Sequence, residues 1–224
     1  DWLIELEELA TLIWVTSSTS HRWFEMNSSN HKRALEMRKV KLETNYFSYP
    51  MPVTLVGTIV GDRVDFTAVA WMSRVNYRPP MLAVAINKKH YAPEGIRETR
   101  TFSVNIPSVD LLTQTDYCGI VSGRNIDKSK VFELFFGELE TAPIIEGCPI
   151  CVECKLIDVY DQLPTNYLFI GEIVAVYSEE KYLTDGKPDI KKMHPLILTT
   201  PQNKYWGIGK HVGNAWKDGL KLKE

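Results

Sequence analysis

From residue 53 onward, apolar positions alternate with polar ones or run in short β-branched stretches, and glycine, proline and asparagine punctuate them. A period of two along the chain marks a strand with one buried face. Residues 53–60, a Gly61-Asp62 turn and residues 63–72 predict a hairpin, and residues 81–86, preceded by Pro79-Pro80, predict a third strand. Residues 93–99 predict a helix with proline in its first turn, and 101–106 a strand. Further helices are expected at 109–117 and 128–135, long strands at 151–161 and 167–177, and short ones near 196–199 and 205–209. Neither an internal repeat nor a heptad pattern accompanies them. Many turn-separated strands with a few helices and no βαβ alternation predict a mainly β fold, an antiparallel barrel with helical insertions.

Upstream the texture changes. Leu3, Leu6, Leu9 and Ile13 fall at helical spacing between acidic residues, which predicts a short amphipathic helix. Polar clusters at 16–20 and 27–30 are too poor in apolar surface to order themselves and read as a linker. The expected organisation is an N-terminal extension over residues 1–36 and a compact domain over 37–224, with Met26 and Met37 as candidate starts because the first residue is Asp1.

Composition narrows the partners. Of 224 residues 44% are hydrophobic and 24% charged, which excludes disorder of the whole chain, and a net charge of -2 gives no drive toward nucleic acid or acidic membranes. The apolar run at 9–15 is far shorter than the roughly 20 residues that span a bilayer. It also lacks the basic front of an export signal. Four cysteines are too few for a disulfide-built scaffold, so a cytoplasmic setting is expected.

Candidate chemistry is sparse. Cys148, Cys151 and Cys154, with Cys118 elsewhere, offer four thiols for a metal. A strand beginning at Cys151 would send Cys151 and Cys154 to opposite faces, however, which disfavours joint coordination. The five histidines show no ligand spacing, and no nucleophile elbow, Walker loop or Gly-x-Gly-x-x-Gly is present. The segment 65–91 stands out instead. Small residues around Ala70 let a flat ring approach the backbone, Trp71 offers a wall, and the polar run 87–90 sets cationic donors at the end of the next strand.

With Ala70-Trp71, Pro79-Pro80, Lys88 to His90, Phe102-Ser103-Val104-Asn105, Cys118-Gly119, Ser122-Gly123-Arg124, Asp127-Lys128, Ala142-Pro143, Glu153-Cys154 and Gly171-Glu172 in order, the chain resembles the flavin reductase-like family, in particular its flavoredoxin branch. The resemblance runs over about residues 40–218. It implies a split β-barrel of antiparallel, Greek-key type, a homodimer, and one flavin mononucleotide (FMN) per subunit. It implies electron transfer through the flavin, fed by NAD(P)H or a redox protein, with no side chain acting as general acid or base. Carried over by position, Ala70, Trp71, Met72 and Ser73 run along the ring and ribityl chain. Asn87, Lys88, Lys89 and His90 surround the phosphate, and Ser122, Gly123 and Lys128 approach the flavin.

Several positions depart from the family pattern: Asp65 for Asn, Ala68 and Met72 for Thr, Asn87 for Arg, and Ala92 for Ser or Thr. Two or three lost hydrogen bonds weaken FMN binding by about tenfold to a few hundredfold. They leave open flavin as an exchangeable substrate of an NAD(P)H:flavin reductase, or a binding module that has lost it.

Overall fold

The computed structural model describes residues 39–46 and 49–222. The chain divides into two units, Asp1–Tyr46 and Phe47–Glu224, the second beginning beyond the expected boundary at Met37. In the first, a 3-10 turn occupies Thr44–Tyr46. The helix and linker expected over residues 1–36 lie outside the described residues.

The second unit opens with β1 (Met51–Pro52), β2 (Thr54–Val60), β3 (Arg63–Val69), β4 (Met72–Asn76) and β5 (Met81–Asn87). Helix α1 (Ala92–Thr99), β6 (Thr101–Ile106) and α2 (Leu112–Ile120) follow, then β7 (Leu134–Phe135) and β8 (Ile144–Ile145). The long strands β9 (Ile150–Tyr160) and β10 (Asn166–Tyr177) precede β11 (Leu183–Thr184), β12 (Lys187–Pro188), α3 (Ile190–Met193), β13 (Ile197–Thr199) and β14 (Lys204–Trp206). Among the described residues no helix is long and apolar enough to cross a membrane.

Seven strands form one antiparallel sheet in the order β3-β2-β6-β9-β10-β5-β4. Register irregularities in β10 at Ile170/Gly171 and Ile173/Ala175 allow the long strand to bend. The sheet rolls until β3, one of its ends, comes back against β5 without sharing a ladder with it. The result is a barrel split along the seam between β3 and β5, the mainly β, split-barrel architecture expected from the sequence.

Strand alternation sorts side chains to two cores. Val56, Val69, Val84, Phe102, Val104, Val152, Cys154 and Phe169 belong to the larger cluster. Leu55, Phe66, Cys118, Ile144, Ile145, Cys148 and Cys151 belong to the second. Cys154 and Cys151 therefore face opposite sides of β9. Burial pushes the Cys118 thiol up to about 11 and raises that of Cys154, while the hydrogen bond with Cys151, followed by burial, raises that of Cys148. Charged thiolates are disfavoured at all three.

Two expectations need correction. Residues 63–72 are not one strand: the chain leaves β3 after Val69, bends at Ala70-Trp71, where Met72 N–H donates to Ala70 O, and Met72 starts β4 at the other end of the sheet. The helix expected at 128–135 is a 3-10 turn, Lys128–Val131, followed by β7, because Lys128 is drawn into the interior rather than onto a helix surface. At 109–117 a 3-10 turn, Val109–Leu111, capped by Ser108, precedes α2.

Candidate functional site

The seam between β3 and β5 carries two cavities that meet at His90. The first, of about 300 Å³, is lined on the β3 side by Ala68, Val69, Ala70 and Trp71, and on the β5 side by Ala85, Ile86 and Asn87. Its walls are mostly apolar and low, because three alanines face it. Trp71 is 56% exposed and stands at the mouth, its carbonyl held by Ala85 N–H at 2.9 Å. The Trp71 backbone is thus tied to β5, and its indole keeps an open face.

The second cavity, of about 170 Å³, lies on the other side of His90, between β3, the turn after β5 and the end of α2. Asp65, Thr67, Lys89, Tyr91, Cys118, Lys128 and the stretch 119–123 line it. His90 bridges the seam: its Nδ1 lies 3.0 Å from Thr67 Oγ1 on β3. Burial, followed by the nearby Lys128 ammonium, lowers the imidazole pKa below its ordinary 6.5, with Asp65 acting in the opposite direction. The ring is therefore neutral at pH 7.

A buried ion pair floors this cavity. Lys128 Nζ lies 3.2 Å from Asp65 Oδ1, with both side chains almost wholly buried, and donates to Phe66 O at 2.6 Å and Cys118 O at 3.2 Å. The lysine thus ties its own turn to β3 and α2. Burial raises the Asp65 pKa above the usual carboxylate range although Lys128 draws it down. Gly123 lets the loop pass over this pair: a Cβ there would lie 2.6 Å from the Asp65 carboxyl carbon and 3.0 Å from Tyr91 Cδ1. No side chain larger than hydrogen fits without moving the carboxylate.

Of the residues singled out from sequence, Ala70, Trp71, Asn87, Lys89, His90, Ser122, Gly123 and Lys128 line the two cavities. Three do not. Lys88 turns away, its Nζ donating to Asp161 O at 2.7 Å and sitting 5.1 Å from the Tyr167 ring centre. Met72 packs its side chain on the larger core, and Ser73 is exposed, its hydroxyl donating to Arg74 O. Asn87 acts on the turn itself, its Oδ1 accepting from Lys89 N–H at 2.9 Å. Asp65, Thr67 and Tyr91, inside the segment 65–91 but given no role there, join the lining, as does Asn166. The signal for Asp65 and Thr67 was their alternation on the strand ending at Ala70. Nothing local in the sequence marked Asn166.

Low apolar walls beside a wall-like indole suit a flat aromatic ring, and the adjoining polar cavity suits a polyol or a ring edge. A flavin has both parts, so the residues present fit one. Among the described residues no cluster of His, Cys, Asp and Glu is placed to hold a metal ion.

A family model described as a flavin reductase like domain matches residues 46–199. The crystal structure of flavoredoxin from Methanosarcina acetivorans is 54% identical, with a TM-score of 0.80 over 83% of this chain and 99% of that one. The FMN-binding protein from Thermus thermophilus, crystallised with 1-cyclohex-2-enone, is 26% identical, with a TM-score of 0.69 over 79% of this chain and 96% of that one. An uncharacterized protein of Aeropyrum pernix is 29% identical over 165 residues, 72% of this chain but only 62% of that protein's length.

Proposed function

The chain belongs to the flavin reductase-like family, and from that premise we propose that it is an FMN-dependent redox protein holding the flavin along the β3–β5 seam. The observation that carries this reading is the pairing of a low-walled apolar cavity beside Trp71 with a polar one beneath His90, both on the edge of a split barrel. The flavin supplies the chemistry, accepting hydride and passing electrons singly or in pairs. The chain binds, orients and shields.

Ala68, Ala70 and Ala85 bring the backbone of two strands close to a ring face, and Trp71 leaves the opposite face open to a donor or acceptor. That openness suits a nicotinamide from NADH or NADPH, or a redox protein docking at the mouth. The phosphate lies along the turn after β5. The Lys89 ammonium and the positive end of α1 favour an anion there. Lys88 is absent from this set because its ammonium already has a partner.

The same reading includes a homodimer and a cytoplasmic setting. Exposed apolar side chains of β4 and β9, Val75, Ile157 and Tyr160, support the first, and four buried unpaired cysteines the second.

The test is a visible spectrum of the purified protein loaded with FMN and desalted, then treated anaerobically with NADH or NADPH. Retained flavin absorption that a pyridine nucleotide bleaches is the expected result for a reductase. Absorption that yields only to dithionite identifies a carrier fed by another protein. Failure to retain or bind any flavin contradicts the proposal.

A further inference from the structure

After β14 the chain runs into an arm that its own fold does not cover. The root of the arm is fixed: β14 pairs with β13, and the Tyr205 hydroxyl donates to Asp116 Oδ1 at 2.9 Å. From Trp206 to Leu222 every residue is exposed, and Val212 is 92%, Trp216 95% and Leu222 89% exposed. The stretch is nonetheless shaped. Asn214 N–H donates to Asp218 Oδ2 at 2.6 Å, Asp218 N–H donates back to Asn214 O at 3.1 Å, and Lys221 Nζ donates to Asp218 Oδ1 at 2.8 Å. The turn holds Trp216 at a φ of 61°, a left-handed conformation that a bulky residue rarely adopts unless its surroundings enforce it. Clustered large apolar side chains on a surface mark a contact.

The same unit carries a groove of matching character. About 360 Å³ in volume, it lies between β1, the start of β13 and α3, and every residue that lines it is apolar. Met51, Val53, Met193 and Leu196 are its buried floor, and Ile190 and Ile208 are its exposed rim. The arm leaves from that rim at Ile208, yet it runs on exposed instead of turning back over the groove. We propose that the arm, residues 209–222, seats its apolar side chains, Trp216 foremost, in this groove on a second copy of the chain, which returns its own arm in the same way. The inference rests on the homodimer reading above and names the surfaces that make it. A two-fold dimer needs both halves of the contact on each chain, and both are present here. The area agrees as well. Tryptophan buries roughly 150–250 Å². An exchange uses arm and groove twice, which carries the contact toward the roughly 800 Å² per partner of a stable interface. Met51 lines both this groove and the cavity beside Trp71, so a seated arm packs behind a wall of the flavin site.

The experiment is sedimentation velocity on the full chain over a range of concentrations, for wild type, Trp216→Asp and Val212→Asp. Both side chains are more than nine-tenths exposed, so neither change disturbs the subunit's own core. The expected result is a wild-type dimer whose dissociation constant rises about 30-fold or more in Trp216→Asp, as loss of a central aromatic anchor does, and by a smaller factor in Val212→Asp. Wild type that stays monomeric throughout overturns the homodimer reading and the exchange with it. A dimer equally strong in wild type and both variants overturns the exchange alone. Whose groove the arm fills is read by placing a photo-crosslinking side chain at position 216 in a mixture of isotope-labelled and unlabelled chains equilibrated together. Crosslinks that join a labelled to an unlabelled chain at residues 50–53 or 190–197 are expected. Crosslinks to the groove confined to one label mean that the arm folds back on its own chain, and crosslinks only to other surfaces put it elsewhere; either outcome overturns the inference.

Discussion

His90 joins the two halves of the seam, and its burial has a measurable consequence. The unfolded imidazole takes up a proton near 6.5, while the folded one does so only at lower pH. Between those values the unfolded state binds more protons, so stability falls as pH falls. The contribution is fully present above 6.5 and is lost downward toward the folded pKa. Urea unfolding of wild type and His90→Asn at a series of pH values should therefore show the wild-type advantage shrinking as pH drops through this window. A constant or growing advantage contradicts the burial argument. Asp65 acts in the opposite direction, because its folded pKa lies above the unfolded 3.8. It is common to both proteins, so its effect largely cancels in the difference.

At the level of elements, alternation explains why a short sequence pattern does several things at once. In β6, Phe102 and Val104 enter the larger core, while Ser103 and Asn105 face the other way. Ser103 donates to Pro143 O; Asn105 donates to Leu55 O at 3.1 Å and accepts from Ile145 N–H at 3.0 Å. Glu153 on β9 anchors the neighbouring loop, accepting from Glu138 and Leu139 N–H at 2.8 and 3.1 Å and from the Tyr177 hydroxyl at 3.0 Å. Helix α1 is held to β2 by a close approach at Gly95, where a Cβ would collide with Ile59 O and lie 2.9 Å from its carbonyl carbon. Gly95→Ala should cost about 1–3 kcal/mol through overpacking, against a helix-propensity gain of at most about 1 kcal/mol. Chemical denaturation measures it. An unchanged or raised midpoint would mean that α1 shifts freely on the sheet. Because α1 begins directly after the His90-Tyr91 turn, the same variant is expected to loosen the seam.

Across the whole molecule, what the sequence made legible was local. Strands with period-two patterning were readable because each buries one face, and the β2–β3 turn because Gly61 adopts a positive φ of 61°. The bend at Ala70-Trp71 was not, because apolar alternation continues through it while the chain crosses to the far end of the sheet. The turn at 128–131 was read as helix because a lysine looks like a surface residue. Only the fold shows Asp65 waiting for it beneath Gly123. Lys88 was read as a phosphate ligand on its charge, yet its direction depends on the carbonyl of Asp161, distant in sequence. The central claim, that the β3–β5 seam holds a flavin, is tested most directly by a crystal structure of the protein grown with FMN. The account predicts flavin density along the seam, with its ring beside Ala70 and Trp71. Flavin bound elsewhere, or an empty seam in crystals saturated with FMN, would contradict it.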